Sequence, residues 1–257
     1  MTPASTHFRF AVRSDRGLRS DNQDAAYADS RVLALADGMG GHPAGDVAAS
    51  LVIRPFVSLE ASTQAGDVVD HLRTAALGGD VAIAEHVAAN PNLSGMGTTL
   101  TAVLLDRDRL GLLHVGDSRA YLLREGVLYQ LSHDDTLVQS EVDQGLLSAA
   151  DARSAPYRNV VLRALMGGTT RFSLANFEVV EGDRLLLCSD GISDYLTDDT
   201  LRAGLGGSDL DTCAERLVAL ALEKGSQDNV TCIVAEVASS QPESAPAFAG
   251  SIAQWLE

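Results

Sequence analysis

Positive charge is scarce in this chain: 19 Lys and Arg stand against 35 Asp and Glu among 257 residues, a formal charge of −16. That deficit excludes the phosphate-neutralising surface that nucleic acid requires and the basic stretches that dock on anionic lipid. Any phosphate site must therefore concentrate positive charge locally, through arginine or bound metal. Cysteine is scarce as well. Cys188, Cys213 and Cys232 are odd in number and lack CxxC spacing, which excludes a disulfide framework and a thiolate zinc site; they read as small core side chains in a reducing compartment. No run of roughly 18 apolar residues is present to span a bilayer. The opening MTPASTHFRF has neither the basic nor the apolar region of a signal peptide. A cytoplasmic protein without membrane attachment is expected. Also missing are the GxSxG, P-loop and HExxH motifs and any internal repeat.

What is present is an order of strands, then helices, then strands. Phe8–Val12 and Ala25–Ala36 predict strands flanking a loop at 14–24. A helical zone after Pro43 is expected to end or kink at Pro55. A second helix opens with Asp67 as N-cap, weakened in its middle by Gly78-Gly79. Residues 98–105, 110–115, 120–123 and 128–131 are short apolar or alternating runs joined by tight turns, a meander pattern. A short helix is expected at 135–144, a surface lid at 148–159, and a strand pair at 172–180 and 184–189. A capping box at Ser208-Asp209-Leu210-Asp211 precedes an apolar helical face that stops at Gly225. Val230–Val237 is expected to be the last strand, and the Ser-, Pro- and Ala-rich segment 239–257 a flexible tail in which 252–256 could dock. This order, without regular βα alternation, implies an α+β domain with largely antiparallel sheets.

The chemistry lies in four turns: Asp37-Gly38-Met39-Gly40-Gly41-His42, Gly116-Asp117-Ser118-Arg119, Ser189-Asp190-Gly191 and Gln227-Asp228-Asn229. Each sits beside an apolar, strand-like run. Singly, an Asp-Gly turn is ordinary hairpin chemistry. Together with Asp24 and Asp194, these turns put six carboxylates at strand ends, where antiparallel strands can deliver them to one rim. Converging carboxylates repel one another and require metal or arginine. Short hard oxygen ligands suit Mg²⁺ or Mn²⁺, and two such ions would activate water and clamp a phosphoryl group. Arg19 is placed to offer a planar donor fork to phosphate oxygens; as a surface arginine it would instead pair with Asp15 or Asp21.

The chain resembles the PPM (type 2C) metal-dependent serine/threonine protein phosphatases, bacterial branch. The resemblance rests on Arg19-Ser20-Asp21-Asn22-Gln23-Asp24, Ala36-Asp37-Gly38-Met39-Gly40-Gly41-His42, Gly95-Met96-Gly97-Thr98-Thr99, Val115-Gly116-Asp117-Ser118-Arg119, Leu187-Cys188-Ser189-Asp190-Gly191 and Asp228-Asn229, in that order. It implies a four-layer αββα sandwich, with a catalytic domain over 1–238 and metals at one edge of two central antiparallel sheets. Carried over by position, Asp37 would bridge two Mn²⁺ or Mg²⁺ ions and Gly38 would ligate through its carbonyl. Asp190 and Asp228 would hold the first ion, with Asp24 in its outer shell. Asp117 would bind a third, weaker ion with Asp190 and with Asp194 or Asn159, and Arg19 would grip the substrate phosphate. The segment 148–159 falls where the family carries its flap. Met39 stands where eukaryotic members often place a histidine taken as general acid, leaving His42 or water on the third ion as proton donor. Gln23 replaces the more usual Glu. Of the other histidines, His114 is expected in the core or behind the ligands, and His133 near the start of the following helix. The resemblance further implies phosphoprotein substrates, an opposing Ser/Thr kinase and a monomer. Two rival readings are a phosphoprotein-sensing module without activity and a phosphatase of small phosphomonoesters, the latter expected to show a deep apolar pocket.

Overall fold

The run Val32–Ala36 carries two sets of apolar side chains, and the fold uses both. In the computed structural model, which describes residues 6–39, 44–57, 59, 67–168, 170–207, 209–239 and 245–255, strand β3 (Val32–Met39) sends Leu33 and Leu35 into one core and Val32, Ala34 and Ala36 into another. Two antiparallel sheets produce this division. One has the order β1 (His7–Asp15), β11 (Val230–Ala238), β10 (Arg184–Cys188), β7 (Arg119–Arg124), β8 (Val127–Gln130). The other runs β12 (Ala247–Gly250), β2 (Asp24–Ala28), β3, β5 (Leu100–Asp106), β6 (Arg109–Val115), β9 (Ser173–Glu178), with the short β4 (Gly97–Thr98) paired to β3. Between the sheets, Phe8, Leu35, Val103, Leu112, Leu187 and Ile233 form the central core.

Helices cover both outer faces. α1 (Ala44–Val57) and α2 (Val68–Ala89) seal the larger sheet through Val52, Ile53, Phe56, Leu72 and Ile83. α7 (Leu210–Glu223) covers the smaller one through Cys213, Leu217 and Ala221, beside α5 (Asp190–Ser193) and α6 (Asp198–Leu205). The architecture is therefore the expected αββα sandwich. It also explains why strands read as unbroken apolar runs: both faces are dry, so the usual alternation of a half-solvated sheet is lost.

Several local expectations meet a physical reason here. Asp67 caps α2 through Val69 N, and Pro55 lies in the last turn of α1 without ending it early. Gly78-Gly79 does not break α2, because a side chain at Gly79 would strike Val52 of α1, with its Cβ 2.8 Å from that Cα; the helix gives up local propensity for close packing. The run Ala25–Ala36 is a hairpin rather than one strand, turned where Asp29 accepts from Arg31 N and Val32 N. The N-cap of α7 is Asp209, accepting from Thr212 N, while Ser208 lies outside the described residues. α3 (Leu137–Asp143) and α4 (Ala149–Ala152) occupy the stretches expected for the short helix and the lid. The brief helices α5 and α6 were not expected.

The flexible tail requires correction over 247–255. β12 pairs antiparallel with β2, Ala247 opposite Ala28 and Gly250 opposite Ala25, and Phe248 lies 5.1 Å from Tyr27 between ring centroids. The 3-10 turn Ser251–Trp255 follows, with Ile252 fully buried and the Ser251 hydroxyl 3.0 Å from that of Ser50 on α1. β11 is thus not the last strand. Ile252→Ala is expected to destabilise the protein by about 2–5 kcal/mol, the range for truncating a buried Ile. A urea unfolding midpoint equal to the parent's would show that the tail docks without contributing.

Candidate active site

Strand pairing delivers the acids to one sandwich edge. Across β2 and β3, Asp24 stands opposite Asp37. Asp117 lies in the β6–β7 turn, Asp190 opens α5 directly after β10, and Asp228 precedes β11. Asp37, Gly38, Asp117, Asp190 and Asp228 line one cavity of about 590 Å³ together with Arg19, Met39, Asn159, Val161 and Asn229. Asp24 lies beneath it, fully buried. Asp194 is separate. It lines an adjoining cavity of about 250 Å³ that shares Asp117 and Asn159 with the first, and Arg158 Nε holds its carboxylate at 3.1 Å. His42 lies outside the described residues.

The backbone around Asp37 is fixed independently of its carboxylate. Its N–H donates to Thr99 Oγ1 at 2.9 Å, and its carbonyl accepts from Thr99 N and Thr98 Oγ1, each at 2.9 Å. A side chain at the next residue is excluded, since a Cβ on Gly38 would lie 2.2 Å from the Gly45 carbonyl oxygen and 2.6 Å from that of Gln23. Three backbone segments thus meet beside the carboxylate. Asn229 secures the loop bearing Arg19: its Oδ1 accepts from Gln23 N at 2.8 Å, and its Nδ2 donates to the Arg16 and Asp21 carbonyls at 2.9 Å each. This role was not foreseen; the sole sequence signal was an Asn beside a candidate ligand.

Electrostatic strain is the dominant property of the site. Burial, then the charges of Asp24, Asp190, Asp117 and Asp228, holds the Asp37 carboxyl well above the usual carboxylate range. Asp190 is raised by burial and by Asp117, Asp228, Asp194 and Asp24. Burial pushes Asp24 up to about 6 and Asp117 up to about 7. Asp24 Oδ2 accepts from Ser189 Oγ at 2.9 Å, whereas its Oδ1 is buried without a partner. A buried oxygen without a donor beside several acids that disfavour ionisation fits a site built for hard cations. Among the described residues, no three acidic, histidine or cysteine side chains already form a closed cage.

Arg19 does not pair with Asp15 or Asp21. Its NH2 meets Asp228 Oδ2 at 2.6 Å while its side chain stays 58% exposed, so it reaches the cavity from solvent and competes for the charge of a candidate ligand. His114 is buried behind the Asp117 turn, its Nε2 3.1 Å from the Gly116 carbonyl. His133 is exposed and sits 3.1 Å from Asp143, at the far end of α3 rather than its start. Met39 lines the cavity and has no proton to give.

The chain is similar to known proteins. The profile of the protein phosphatase 2C family matches residues 13–234. Over 246 residues the chain is 48% identical to serine/threonine protein phosphatase PstP of Mycobacterium tuberculosis, covering 95% of this chain and 48% of that protein; the chain spans about half the length of that relative. Serine/threonine phosphatase stp of Listeria monocytogenes is 33% identical over 237 residues, covering 87% of this chain and 94% of that one. The crystal structure of M. tuberculosis PstP/Ppp superimposes with a TM-score of 0.87 at 49% identity, covering 90% of this chain and 98% of that one. The catalytic domain of PstP in complex with two manganese ions gives 0.85 at 48% identity, covering 90% and 99%.

The raised acids predict a pH dependence. Asp24 and Asp117 have folded values near 6 and 7 against 3.8 for the free group, so folding favours their protonated forms. Their contribution to stability is complete below about pH 4 and is lost as pH rises through 6 to 7. In EDTA, the melting temperature is expected to fall between pH 5 and 8, less so in Asp117→Asn, and saturating Mn²⁺ should remove the fall. A metal-free melting temperature that rises over this range would contradict the assignment.

Proposed function

The chain belongs to the protein phosphatase 2C family, and from that premise we propose that it is a metal-dependent phosphatase of phosphoserine and phosphothreonine in proteins. One observation carries the reading: five carboxylates, Asp21, Asp37, Asp117, Asp190 and Asp228, and the Gly38 backbone face a single cavity into which Arg19 reaches. The relatives named above are serine/threonine phosphatases, one of them seen with two manganese ions.

Asp37, the Gly38 carbonyl, Asp190 and Asp228 would hold two Mn²⁺ or Mg²⁺ ions, with Asp24 behind them and Asp117 toward a third, weaker site. Bound there, the ions supply an activated water and offset the charge of the phosphoryl group. The chain's own residues do the rest. Arg19 exchanges its contact with Asp228 for the substrate phosphate, which its exposure permits. Thr98 and Thr99 keep Asp37 in place as the charge around it changes, and Ser189 orients Asp24. The proton for the leaving group would come from His42 or from water held at the third site. Of the described residues lining the cavity, Met39 and Val161 alone have purely apolar side chains, which favours an extended phosphopeptide over a small ester sequestered in an apolar pocket. The setting proposed is a bacterial cytoplasmic signalling circuit, in which a monomeric enzyme opposes a Ser/Thr protein kinase. No helix among the described residues is long and apolar enough to cross a membrane.

Phosphate release from a phosphothreonine peptide is the direct test. Release is expected with Mn²⁺, silenced by EDTA and restored by Mn²⁺; activity that survives chelation would refute the mechanism. Asp37→Ala and Asp190→Ala should abolish release while retaining the native circular dichroism, and near-normal turnover in either would remove it from the ligand set. Arg19→Ala should raise KM roughly ten- to a hundredfold, as expected for losing a charge-assisted bond worth about 1.5–3 kcal/mol. An unchanged KM would make Arg19 a partner of Asp228 alone.

A further inference from the structure

Asp135 lies outside the cavity, yet its side chain is fully buried. A buried carboxylate is costly to keep unless it makes specific contacts, and this one meets two segments of the site. Its Oδ2 accepts from Gly116 N at 3.1 Å, while its own N–H donates to the Gly116 carbonyl at 2.7 Å. Both sides of the residue preceding Asp117 are thereby gripped. The same carbonyl accepts from His114 Nε2. Gly116 has φ +108, and a Cβ there would lie 2.5 Å from the Thr99 side chain, so the turn is pressed against the residue that also holds Asp37. On its other side, Asp135 Oδ1 pairs with Arg163, and its carbonyl accepts from Leu162 N at 2.7 Å. Residues 160–163 are the return of the lid segment, joined there by Leu137 N to the Val160 carbonyl and by the bridge of Thr136 with Val161. Val161 of that return and Asn159 at the end of the lid segment share the cavity wall with Asp117.

We propose that Asp135, neutralised by Arg163, is a positioning residue that fixes the Gly116–Asp117 turn and joins it to the return of the lid segment, so that it sets the cation affinity at Asp117. This rests on the phosphatase reading for its consequence in turnover but not for its consequence in cation binding. A purely structural carboxylate would affect stability and every bound cation alike. A positioning one acts on the cation nearest Asp117.

The test counts bound Mn²⁺ by electron paramagnetic resonance without substrate, alongside thermal melting and phosphopeptide turnover. In Asp135→Ala the weakest Mn²⁺ equivalent should shift to about tenfold higher concentration, the scale seen when a group behind a ligand is removed, while the tighter equivalents remain as in the parent. Turnover at limiting Mn²⁺ should fall and recover as Mn²⁺ is raised. Asp135→Asn combined with Arg163→Met keeps an oxygen for Gly116 N–H without setting an amide NH2 against a guanidinium, and should bring the weakest equivalent back toward the parent. Should Asp135→Ala not fold, Arg163→Met, which leaves the buried acid without its partner, should shift the same equivalent. Binding curves that superimpose on the parent, a uniform loss across all equivalents, or no rescue by Asn would each overturn the proposal. A parent protein that binds Mn²⁺ but releases no phosphate would instead refute the phosphatase reading and leave the binding comparison to decide Asp135.

Discussion

Mutual repulsion among five carboxylates at one edge of the sandwich is the constraint around which this protein is organised. Asp37 feels four other acids, and Asp190 feels a similar set that includes Asp194. Near the surface of a protein, two like charges about 4 Å apart cost on the order of 4 kcal/mol at an effective dielectric of 20. Total stability is usually about 5–15 kcal/mol. Such a cluster persists only if the chain cannot relax away from it, and if protons, arginines or cations take up the charge.

The fold meets the first condition through backbone contacts rather than side-chain pairing. Asp37 is held at both its N–H and carbonyl by Thr98 and Thr99. Thr99 Oγ1 also lies 2.8 Å from Ser118 Oγ, beside Asp117, so two acids from distant strands share one hydroxyl pair. The second condition is met selectively. Arginine contacts fall on some acids and not on others: Arg19 on Asp228, Arg158 on Asp194, Arg119 on Asp134. Among the described residues no arginine pairs with Asp24, Asp37 or Asp190, which leaves their charge to be taken up by protons or by cations. A guanidinium on Asp37 would stabilise the resting fold and occupy the position that the chemistry needs.

Much of this was legible in the sequence, because it depends on local rules. Strand runs, Asp67 as a cap and acids just beyond strand ends all follow from short-range pattern, and the order of the acidic turns specified the family. The remainder depends on contacts between distant residues. Nothing local reveals that Asp194 meets Arg158 and lines a neighbouring cavity, or that Asn229 pins a loop more than 200 residues away. Gly78-Gly79 reads as a weakness in α2 until Val52 of α1 is placed against it. The segment after Ser239 has the composition of a disordered tail, and composition carries no account of an open sheet edge waiting for a partner strand.

That edge bears on the site. β2 carries Asp24 at its first position and would be the border strand of its sheet without β12. With β12 added, Gly250 packs so closely on Asp24 that a side chain there would meet the Asp24 carbonyl oxygen. Ser251 then donates to the Asp46 carbonyl in the first turn of α1, the helix whose Gly45 crowds Gly38. An unpaired border strand frays and exchanges its hydrogen bonds with water. Fraying at Asp24 would release the acid that repels Asp37 from across the ladder and relieve the strain that suits the site to cations. The tail therefore braces the strand that carries Asp24, through Gly250 against its backbone and Ser251 against α1.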